Sequence, residues 1–395
     1  MSYIGSKPAD AVLETDDITD GVITTSKLAD NSVTTAKTSY SDAPFRNIII
    51  NGDMSIAQRG TSATGLTNGS SGLHTVDRWR FGEAGSPTGE FTQSQSTDVP
   101  TGQGFVKSLK MDCTTAQGSL AAADGLRIEQ RFEGQNLQYL KKGTANAESV
   151  TVSFWVKSNK TGTYIAEIFD NDNSRQISKA YTIDSANTWE KKTMTYAGDT
   201  SGALDNDNSH SLDVRLWLGA GTDFTSGTLN TSWNSVTTAN RLVGQVNLAD
   251  STSNEWYITG VQLEVGSAAS DFEFLPYDVN LGRCERYYQV FNYVSGSAIC
   301  IGNSNTSTTA VGAFDFNTMR TAPTATLPTA GQTTNTASYL APNGAYPTTT
   351  GTFTAESINI KNFRLKGNSY SGLNSGAVSW CYSNGNTSIK LDAEL

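Results

Sequence analysis

The feature that most constrains this chain is a recurrence of short alternating runs between clusters of Gly, Asn, Asp and Ser. In the run "SVTVSFWVKS", the even-numbered positions from Val150 to Val156 are apolar, whereas Thr151, Ser153 and Trp155 fall on the opposite face. A period of two is typical of a β-strand that buries one face, and many such strands at short intervals favour a β-sandwich. The chain is therefore predicted to be all-β.

Two more runs show the same period. The residues predicted to share the buried face are Leu212, Val214, Leu216 and Leu218 in the first run, and Trp256, Ile258, Gly260 and Gln262 in the second. In a sandwich, such faces pack against each other across two antiparallel sheets. Both runs are therefore expected to contribute to one core.

Length and changes of composition divide the chain into three segments. A chain of 395 residues suggests two or three domains of about 100 to 200 residues each. Residues 1–45 are polar and repetitive, residues 46–278 contain most of the alternating runs, and residues 279–395 are rich in Ser, Thr, Asn and Gly. We predict an N-terminal segment, a β-sandwich domain and a smaller C-terminal β domain. The string "LGRCERYYQVF" between the last two is predicted to form a helical turn or a stiff junction.

The charge and the first residues exclude several classes of partner. The net charge is −10 and the pI is near 4.8, so the phosphate backbone of a nucleic acid would be repelled. The start "MSYIGSKPAD" lacks the basic and apolar regions of a signal peptide. The strongest short apolar run, Ile48-Ile49-Ile50, is far shorter than a membrane span. We expect a soluble protein that neither binds nucleic acid nor inserts into a membrane.

The first 45 residues contain a short phrase that occurs twice, as "ITTSK" from Ile23 and as "VTTAK" from Val33. Each copy offers one or two aliphatic residues among Thr, Ser, Asp and Lys, so one chain alone cannot build a core there. Ordering such a segment costs about 1 to 2 kcal/mol of backbone entropy per residue. We therefore expect contacts from outside the chain to order this segment.

Three parts of the sequence carry a resemblance to the tail-fibre and receptor-binding proteins of bacteriophages, of the marine and cyanobacterial type. The first is "MSYIGSKPAD" with the "ITDG" and "TTSKLAD" strings after it. The second is the set "NIIINGDMSIAQRG", "TVDRWRF", "VSFWVKS" and "WYITGVQLEVG", which ends in "DFEFLPYDVNLGRCERYYQVF". It resembles the jelly-roll, carbohydrate-binding-module-like domain of such fibres. The third is "NTMRTAPTATL", which resembles a stretch in their C-terminal domain.

The resemblance implies a homotrimeric structural protein of the virion with an N-terminal anchor and an exposed C-terminal tip. The anchor would dock on a phage tail or baseplate protein, with Tyr3, Ile4 and Pro8 as candidates for insertion into a groove of that protein. The repeats would lie against sister chains or along the tail surface. Because the repeat has only two copies, any shaft is minimal.

Aromatic residues are the candidates for contact with sugar. Trp233 lies in the polar string "GTLNTSWNSVTTAN", where an indole has no obvious core to join, so we predict contact with a ligand. Tyr346 and Tyr370 lie near Gly, Asn and Pro, which suits an exposed tip, although a packed turn tyrosine is the alternative. The tryptophans within strand patterns are assigned to packing in the core or on a sheet surface: Trp79, Trp155, Trp189, Trp217 and Trp256.

No metal, cofactor or catalytic site is predicted. The four cysteines are widely separated and no Cys-x-x-Cys pair occurs, so we expect buried, reduced thiols. The string "DNDN" begins at Asp170 and again at Asp205, but neither copy has the spacing of an EF-hand loop. Turns capped by Asp and Asn side chains are favoured there, and calcium is the open alternative. His74 and His210 lie in turn-like strings without the signature of a nucleophile elbow.

The function that fits these features is that of a non-enzymatic phage tail fibre or baseplate-associated protein. It would attach to the virion by its N-terminus, bind host surface polysaccharide with its β domains, and assemble in the host cytoplasm. Two alternatives stay open. One is a tailspike that cleaves glycans with paired carboxylates, although such enzymes usually carry long β-helix regions that this sequence does not show. The other is a purely structural spacer or decoration protein of the virion.

Overall fold

The computed structural model describes residues 45–329, 336–340, 352–368 and 373–395. The predicted attachment residues Tyr3, Ile4 and Pro8 lie outside these ranges, as do Tyr346 and Tyr370. The regular secondary structure of the described ranges is mainly β-strand, with two α-helices, so the all-β prediction is confirmed.

The elements up to residue 265 are, in chain order, β1 (Ser62–Leu66), β2 (Gly72–Leu73), β3 (Arg80–Ala84), β4 (Glu90–Ser96), β5 (Ser108–Thr115), β6 (Gly125–Glu133), β7 (Val150–Ser158), β8 (Gly162–Asp170), β9 (Arg175–Ile183), β10 (Glu190–Tyr196), β11 (His210–Ala220), α1 (Thr222–Thr225), β12 (Asn234–Ser235) and β13 (Glu255–Val265). The elements after residue 265 are α2 (Tyr277–Glu285), β14 (Tyr288–Tyr293), β15 (Ala298–Ser304), β16 (Ala310–Asp315), β17 (Thr324–Thr326), β18 (Ala337–Leu340), β19 (Thr352–Glu356), β20 (Asn362–Asn368), β21 (Val378–Ser383) and β22 (Thr387–Asp392).

The strands β1 to β13 form two antiparallel sheets. Sheet A has the strand order β1-β4-β5-β13-β7-β10, and sheet B has the order β12-β9-β8-β11-β6-β3-β2. After β5 the chain crosses repeatedly between the two sheets. The strands β6, β8, β9 and β11 lie in sheet B, and the strands β7, β10 and β13, which alternate with them along the chain, lie in sheet A. Such repeated crossing between two sheets is the jelly-roll arrangement. The predicted jelly-roll sandwich is therefore present.

One hydrophobic core fills the space between sheets A and B. The even-numbered residues from Val150 to Val156 on β7 and from Leu212 to Leu218 on β11 are buried in it, as their alternation predicts. Burial of apolar surface contributes about 25 cal/mol per Å². These two strands therefore fix the inner faces of both sheets.

The predicted alternation of β13 is wrong in its second half. Trp256 and Ile258 are buried in the core, but a β-bulge then shifts the pairing of β13 with β7. The next core position consequently falls on Val261 instead of Gly260, and Gln262 faces away from the core. Gly260 has a φ angle of +63°, a conformation that glycine adopts without strain.

The strands β14 to β22 form two smaller antiparallel sheets. Sheet C has the order β14-β22-β17, and sheet D has the order β18-β21-β15-β16-β20-β19. Their core is centred on aromatic rings: the Phe314 and Phe363 centroids are 5.0 Å apart, and Phe291 meets Phe314 edge-on at 5.1 Å. This C-terminal region thus has a core of its own.

The string "LGRCERYYQVF" forms a junction that includes the predicted helical turn. Helix α2 ends at Glu285, and β14 begins at Tyr288. Between them, Arg286 donates two hydrogen bonds of 2.7 and 2.6 Å to the buried carboxylate of Glu133, and Tyr287 donates one of 2.6 Å. The junction is therefore tied to strand β6 of the sandwich.

Further contacts join the C-terminal region to the sandwich. The guanidinium group of Arg78 forms an ion pair with Glu394 and lies 3.5 Å from the ring centroid of Tyr287. Arg320 donates to the carbonyl oxygen of Asn208 at 2.8 Å, and Asn208 donates back to the carbonyl oxygen of Arg320 at 2.7 Å. The two regions consequently pack together through charged and hydrogen-bonded side chains.

All four cysteines are free and buried, as predicted. Burial raises the pKa of the Cys284 and Cys381 thiols well above their ordinary value, so both stay protonated at neutral pH. No helix in the described part of the chain has the length and apolar character needed to cross a membrane.

Candidate functional site: an aromatic groove on sheet A

Trp155 lies half-buried on the outer face of sheet A. Its neighbours on β7, Phe154 and Val156, are buried in the core, so the strand period directs the indole to the solvent side. In the sheet, Trp155 pairs with Thr259 of β13 on one side and with Lys191 of β10 on the other. An aromatic residue with an accessible surface therefore lies among polar cross-strand neighbours.

Gly260 allows an aromatic wall to form beside Trp155. A Cβ atom at Gly260 would lie 2.5 Å from Cζ of Phe105, far inside contact distance. Because no side chain stands there, the ring of Phe105 packs directly on the bulge of β13 and is only 7% exposed. The bulge that breaks the predicted alternation of β13 thus helps to shape the site.

Two further phenylalanines complete this wall. The centroids of Phe272 and Phe274 each lie 5.1 Å from that of Phe105 and 4.9 Å from each other. Phe274 is 51% exposed, which is high for a large apolar side chain. Phe272 and Phe274 therefore present apolar surface to the solvent beside Trp155, and both pack against Phe105.

The loop that carries Phe272 and Phe274 is held by strand β13. The buried carboxylate of Glu264 accepts hydrogen bonds from the Ser270 backbone N–H at 2.9 Å and the Ser270 hydroxyl at 2.7 Å. It also accepts one of 2.8 Å from the Gln262 amide. Contacts of this kind place a binding loop before any ligand arrives.

These residues line a groove of about 370 Å³, which we call the Trp155 groove. Its polar lining comes from Gln103, Ser153, Lys191 and Asp271, besides the aromatic residues already described. Ligand sites in proteins typically have volumes of about 300 to 1,000 Å³ and combine apolar walls with a few polar groups. The Trp155 groove has both properties.

A row of charged side chains on the same face is already paired. Trp189 donates a hydrogen bond of 2.9 Å to Asp98, and the ammonium group of Lys157 lies 4.3 Å from the ring centroid of Tyr257. Lys157 also forms an ion pair with Asp98. Burial opposes ionisation of Asp98, but hydrogen bonds from Lys157 and Trp189 lower the pKa of its carboxyl. The charged groups of this row are therefore paired with one another, and none of its residues lines the Trp155 groove.

The predicted sugar contact Trp233 has a different environment. Its indole N–H donates a 2.7 Å hydrogen bond to the carbonyl oxygen of Ala197, and the ring packs against the core of the sandwich. The Lys142 ammonium group lies 5.0 Å from its centroid. The expectation that this indole has no core to join is therefore wrong, while its contact with a ligand stays a prediction.

The five tryptophans that the sequence places within strand patterns divide between fully buried positions and the surface of sheet A. Trp79, Trp217 and Trp256 are at most 1% exposed, whereas Trp155 and Trp189 are half-buried on the outer face of sheet A. Our sequence interpretation assigned all five to packing and so did not single out Trp155 as a binding residue. The alternation places this indole on the outer face of β7, but it places Trp217 on the outer face of β11 in the same way, and Trp217 is buried there with Phe224 and Leu242. The period alone therefore does not identify a binding residue.

The two "DNDN" strings form turns whose carboxylates have protein partners. The Asp170 carboxylate accepts a 3.0 Å hydrogen bond from the Asn173 backbone N–H and is paired with Lys142. The Asp205 backbone N–H donates at 2.9 Å to Asp172, so the two turns touch. Within the described residues, no group of three or more His, Cys, Asp or Glu side chains is arranged to hold a metal ion.

No protein-family model matches the chain, and no curated protein matches it. Solved structures to which the chain is similar include the enzymatically active domain of bacteriophage CBA120 tailspike protein 4, with 15% identity and a TM-score of 0.31 over 56% of this chain and 22% of that one. The family 11 carbohydrate-binding module from Clostridium thermocellum shows 10% identity and a TM-score of 0.27 over 53% of this chain and 99% of its own. The CBM22-1 xylan-binding domain from Paenibacillus barcinonensis shows 13% identity and a TM-score of 0.24 over 53% of this chain and 94% of its own. At these TM-scores the likeness does not establish a ligand or an activity for this chain.

Proposed function

We propose that the chain is a non-enzymatic receptor-binding protein of a bacteriophage tail, and that it binds host surface polysaccharide in the Trp155 groove. The observation that carries the proposal is the position of Trp155, half-buried in a groove that also contains polar side chains. The sequence strings that resemble phage fibres support the viral context.

The groove offers the two kinds of contact that a sugar needs. One face of a pyranose ring carries C–H groups and is apolar, so it can stack on the indole of Trp155. The hydroxyl groups at the ring edge can exchange hydrogen bonds with Gln103, Ser153, Lys191 and Asp271, which line the groove. The polar groups orient the sugar, and the aromatic surface contributes most of the affinity.

The lining of the groove favours binding over cleavage. Asp271 is the one carboxylate among the residues that line it. Retaining and inverting glycosidases generally use a pair of carboxyl groups on either side of the bond that is cleaved. We therefore propose a protein that holds the polysaccharide and leaves its length unchanged.

A single shallow groove binds weakly, so the proposed protein acts as a homotrimer. Three linked sites on one polymer raise the apparent affinity about 10²- to 10⁴-fold without any new contact. The segment of residues 1–45 would hold the trimer on a tail or baseplate protein, with the repeats ordered by that contact. Particles made in the host cytoplasm would carry the sandwich on their surface.

Incubation of the purified full-length protein with a panel of bacterial surface polysaccharides tests the binding proposal. Retarded migration in gels that contain one of these polysaccharides, with an unchanged polymer length in size-exclusion chromatography, is the expected result. Shortened polymers would identify a depolymerase instead. Failure to bind any polysaccharide from cells that the parent phage adsorbs to would leave the role of a structural spacer.

A shortened chain that begins at Ala43 tests the attachment proposal. The contacts that hold the described N-terminal end start at residue 45, since the Phe45 backbone N–H donates to Glu273 at 2.8 Å. The shortened protein should therefore keep its melting temperature and fail to enter phage particles. Incorporation at the wild-type level would place the anchor elsewhere in the chain.

A further inference from the structure

A second polar site lies on the outer face of sheet B. Glu129 of β6 pairs across the sheet with Arg80 of β3 on one side and with Arg215 of β11 on the other. Arg127 and Arg131 precede and follow it on β6, on the same face of the strand. These four arginines around Glu129 are named the arginine cluster.

All four guanidinium groups lie close to one carboxylate. The nearest nitrogen–oxygen distances to Glu129 are 3.4 Å from Arg80, 2.5 Å from Arg127, 2.9 Å from Arg131 and 3.6 Å from Arg215. Burial alone would raise the pKa of Glu129, but the nearby guanidinium groups lower it to about 2. A carboxylate accepts about four hydrogen bonds, whereas each guanidinium group has five N–H donors. The cluster therefore holds more donors than its carboxylate can accept from.

The half of this face nearer to β8 is balanced in charge. Arg215 has a second carboxylate partner, Asp213, at 2.7 Å from its Nε atom. Arg241 donates two hydrogen bonds of 2.7 and 2.8 Å to the buried carboxylate of Glu167. Each of these arginines thus has an acidic partner of its own.

The half nearer to β3 has three arginines and two acidic side chains, Glu129 and Glu83. Arg127 has the backbone carbonyl oxygen of Glu83 as a further acceptor at 3.4 Å, and Arg131 has an oxygen atom of Leu395, the last residue of the sequence, at 3.1 Å. The Nε atom of Arg80 is buried and has no hydrogen-bond partner among the described residues. Burial and the positive charges of Arg131 and Arg127 lower the pKa of Arg80, against the attraction of Glu129 and Glu83. Three guanidinium groups therefore share the Glu129 carboxylate.

These three side chains remain accessible from outside. Arg80 is 22% exposed, Arg127 13% and Arg131 23%, measured on the side chain. The carboxylate of Glu83, at the end of β3, is occupied by the Ser71 hydroxyl and the Gly69 backbone N–H. These three arginine side chains can therefore meet an anion from solution.

Gly82 helps to position the guanidinium group of Arg127. A Cβ atom at Gly82 would lie 2.9 Å from Cζ of Arg127, so the absence of a side chain lets the guanidinium group lie against the backbone of β3. The atoms that would collide belong to the far end of a flexible side chain, and Gly82 does not have a positive φ angle. A methyl group there would displace Arg127 without straining the strand.

We infer that Arg80, Arg127 and Arg131 form an oxyanion site that takes the carboxylate or sulfate groups of an acidic polysaccharide. Guanidinium groups match both oxyanions because two parallel N–H donors face two oxygens. The chain as a whole carries a net charge of −10 and repels anions, so attraction should be confined to this face. The inference does not depend on the Trp155 groove, which lies on the other sheet.

The test measures the affinity of the full-length protein for polygalacturonate, dextran sulfate and neutral dextran at low ionic strength. The wild type should bind at least one of the two charged polymers and not neutral dextran, and the polymer that binds identifies the oxyanion. Arg80→Ala and Gly82→Ala should each weaken that binding about tenfold, the loss expected for one charge-assisted contact. Gly82→Ala changes no charge, so its effect reports the position of Arg127 alone.

A matched variant completes the test. Arg364→Ala removes an exposed arginine that pairs with Glu356 on sheet D. It should bind the charged polymers as the wild type does, and melting temperatures verify that all variants fold. Wild-type affinity in Arg80→Ala and Gly82→Ala, an equal loss in Arg364→Ala, or no charged polymer bound by the wild type would overturn the inference.

Discussion

The outer faces of sheets A and B differ in how deeply the ion pairs of Glu255 and Glu129 are buried. On sheet A, Lys110 and Glu255 form a pair at 2.8 Å, and both side chains keep more than a fifth of their surface in solvent. On sheet B, the carboxylate of Glu129 is completely buried under the arginine cluster. Sheet A thus leaves room for an aromatic groove, whereas sheet B concentrates positive charge.

The difference shows which part of a strand carries function in this fold. The inner residues of β7 and β11 follow the same apolar alternation and build one core. The outward-facing residues of the same strands do not pack in that core. They include Trp155 on β7 and Arg215 on β11. The alternate residues that face inward determine the scaffold. The residues between them face outward and determine the chemistry of each outer face.

The largest expected difference in stability is between substitutions of Glu129 and Glu255. Glu129→Gln should lower the free energy of unfolding by about 3 to 5 kcal/mol, because it leaves buried guanidinium groups without a counter-charge. Glu255→Gln, which affects a pair that is partly in solvent, should cost about 1 kcal/mol or less. Urea denaturation of the two variants measures both values. Equal losses of unfolding free energy would show that burial of Glu129 does not increase its contribution to stability.

Asp77, between β2 and β3, has a carboxyl group whose titration opposes that of Glu129. Burial raises the pKa of Asp77 from 3.8 to about 6, against the hydrogen bonds of Gln58 and the attraction of Arg59. A raised pKa means that the folded state takes up a proton before the unfolded state does. Stability from this group therefore increases as the pH falls from about 6 toward 3.8, whereas that from Glu129 is lost below its ordinary value of 4.5 as the pH approaches 2.

Replacement of the Asp77 carboxyl group by an amide tests the direction of this pH dependence. As the pH falls from 7 to 4.5, the wild type should gain roughly 2 kcal/mol of stability relative to Asp77→Asn. Unfolding in urea at several pH values measures the difference. Parallel pH profiles of the two proteins would rule out titration of Asp77 in this range.

Two glycines allow a smaller contrast between the faces. Gly260→Ala should cost about 1 to 2 kcal/mol, because alanine is strained at a positive φ angle and would collide with Phe105. Gly82→Ala meets only the flexible end of Arg127 and should cost about 0.5 kcal/mol or less. Thermal unfolding compares them. A larger cost for Gly82→Ala would mean that the arginine cluster is rigid.

Much of the fold can be predicted from the alternating runs, and the failures have local causes. The apolar positions from Val150 to Val156 identify the core face of β7, and by the same parity they direct Trp155 to solvent. The bulge at Gly260 is not visible in a count of alternate residues, because one extra residue reverses the parity after it. The groove could not be predicted, since Phe105, Phe272 and Trp155 are brought together from three distant parts of the chain.

The string "LGRCERYYQVF" makes its main contacts with distant residues of the sandwich. Within "LGRCERYYQVF", Arg286 and Tyr287 bind Glu133 of the sandwich, and the ring of Tyr288 lies 3.6 Å from the guanidinium group of Arg59. Periodicity suggested only a helical turn or a stiff connection there. The partners could not be named from the sequence, because they are about 150 residues or more away.

The measurement that tests the central claim most directly compares Trp155→Ala with Trp233→Ala. Both indoles are half-buried, but Trp155 lies in the groove, whereas Trp233 packs on the core and donates to Ala197. For a polysaccharide that the wild type binds, Trp155→Ala should weaken binding about tenfold or more, as loss of an aromatic anchor does, and Trp233→Ala should leave it unchanged. Unchanged affinity in Trp155→Ala together with a loss in Trp233→Ala would contradict the account and place the sugar at the loop that the sequence first indicated.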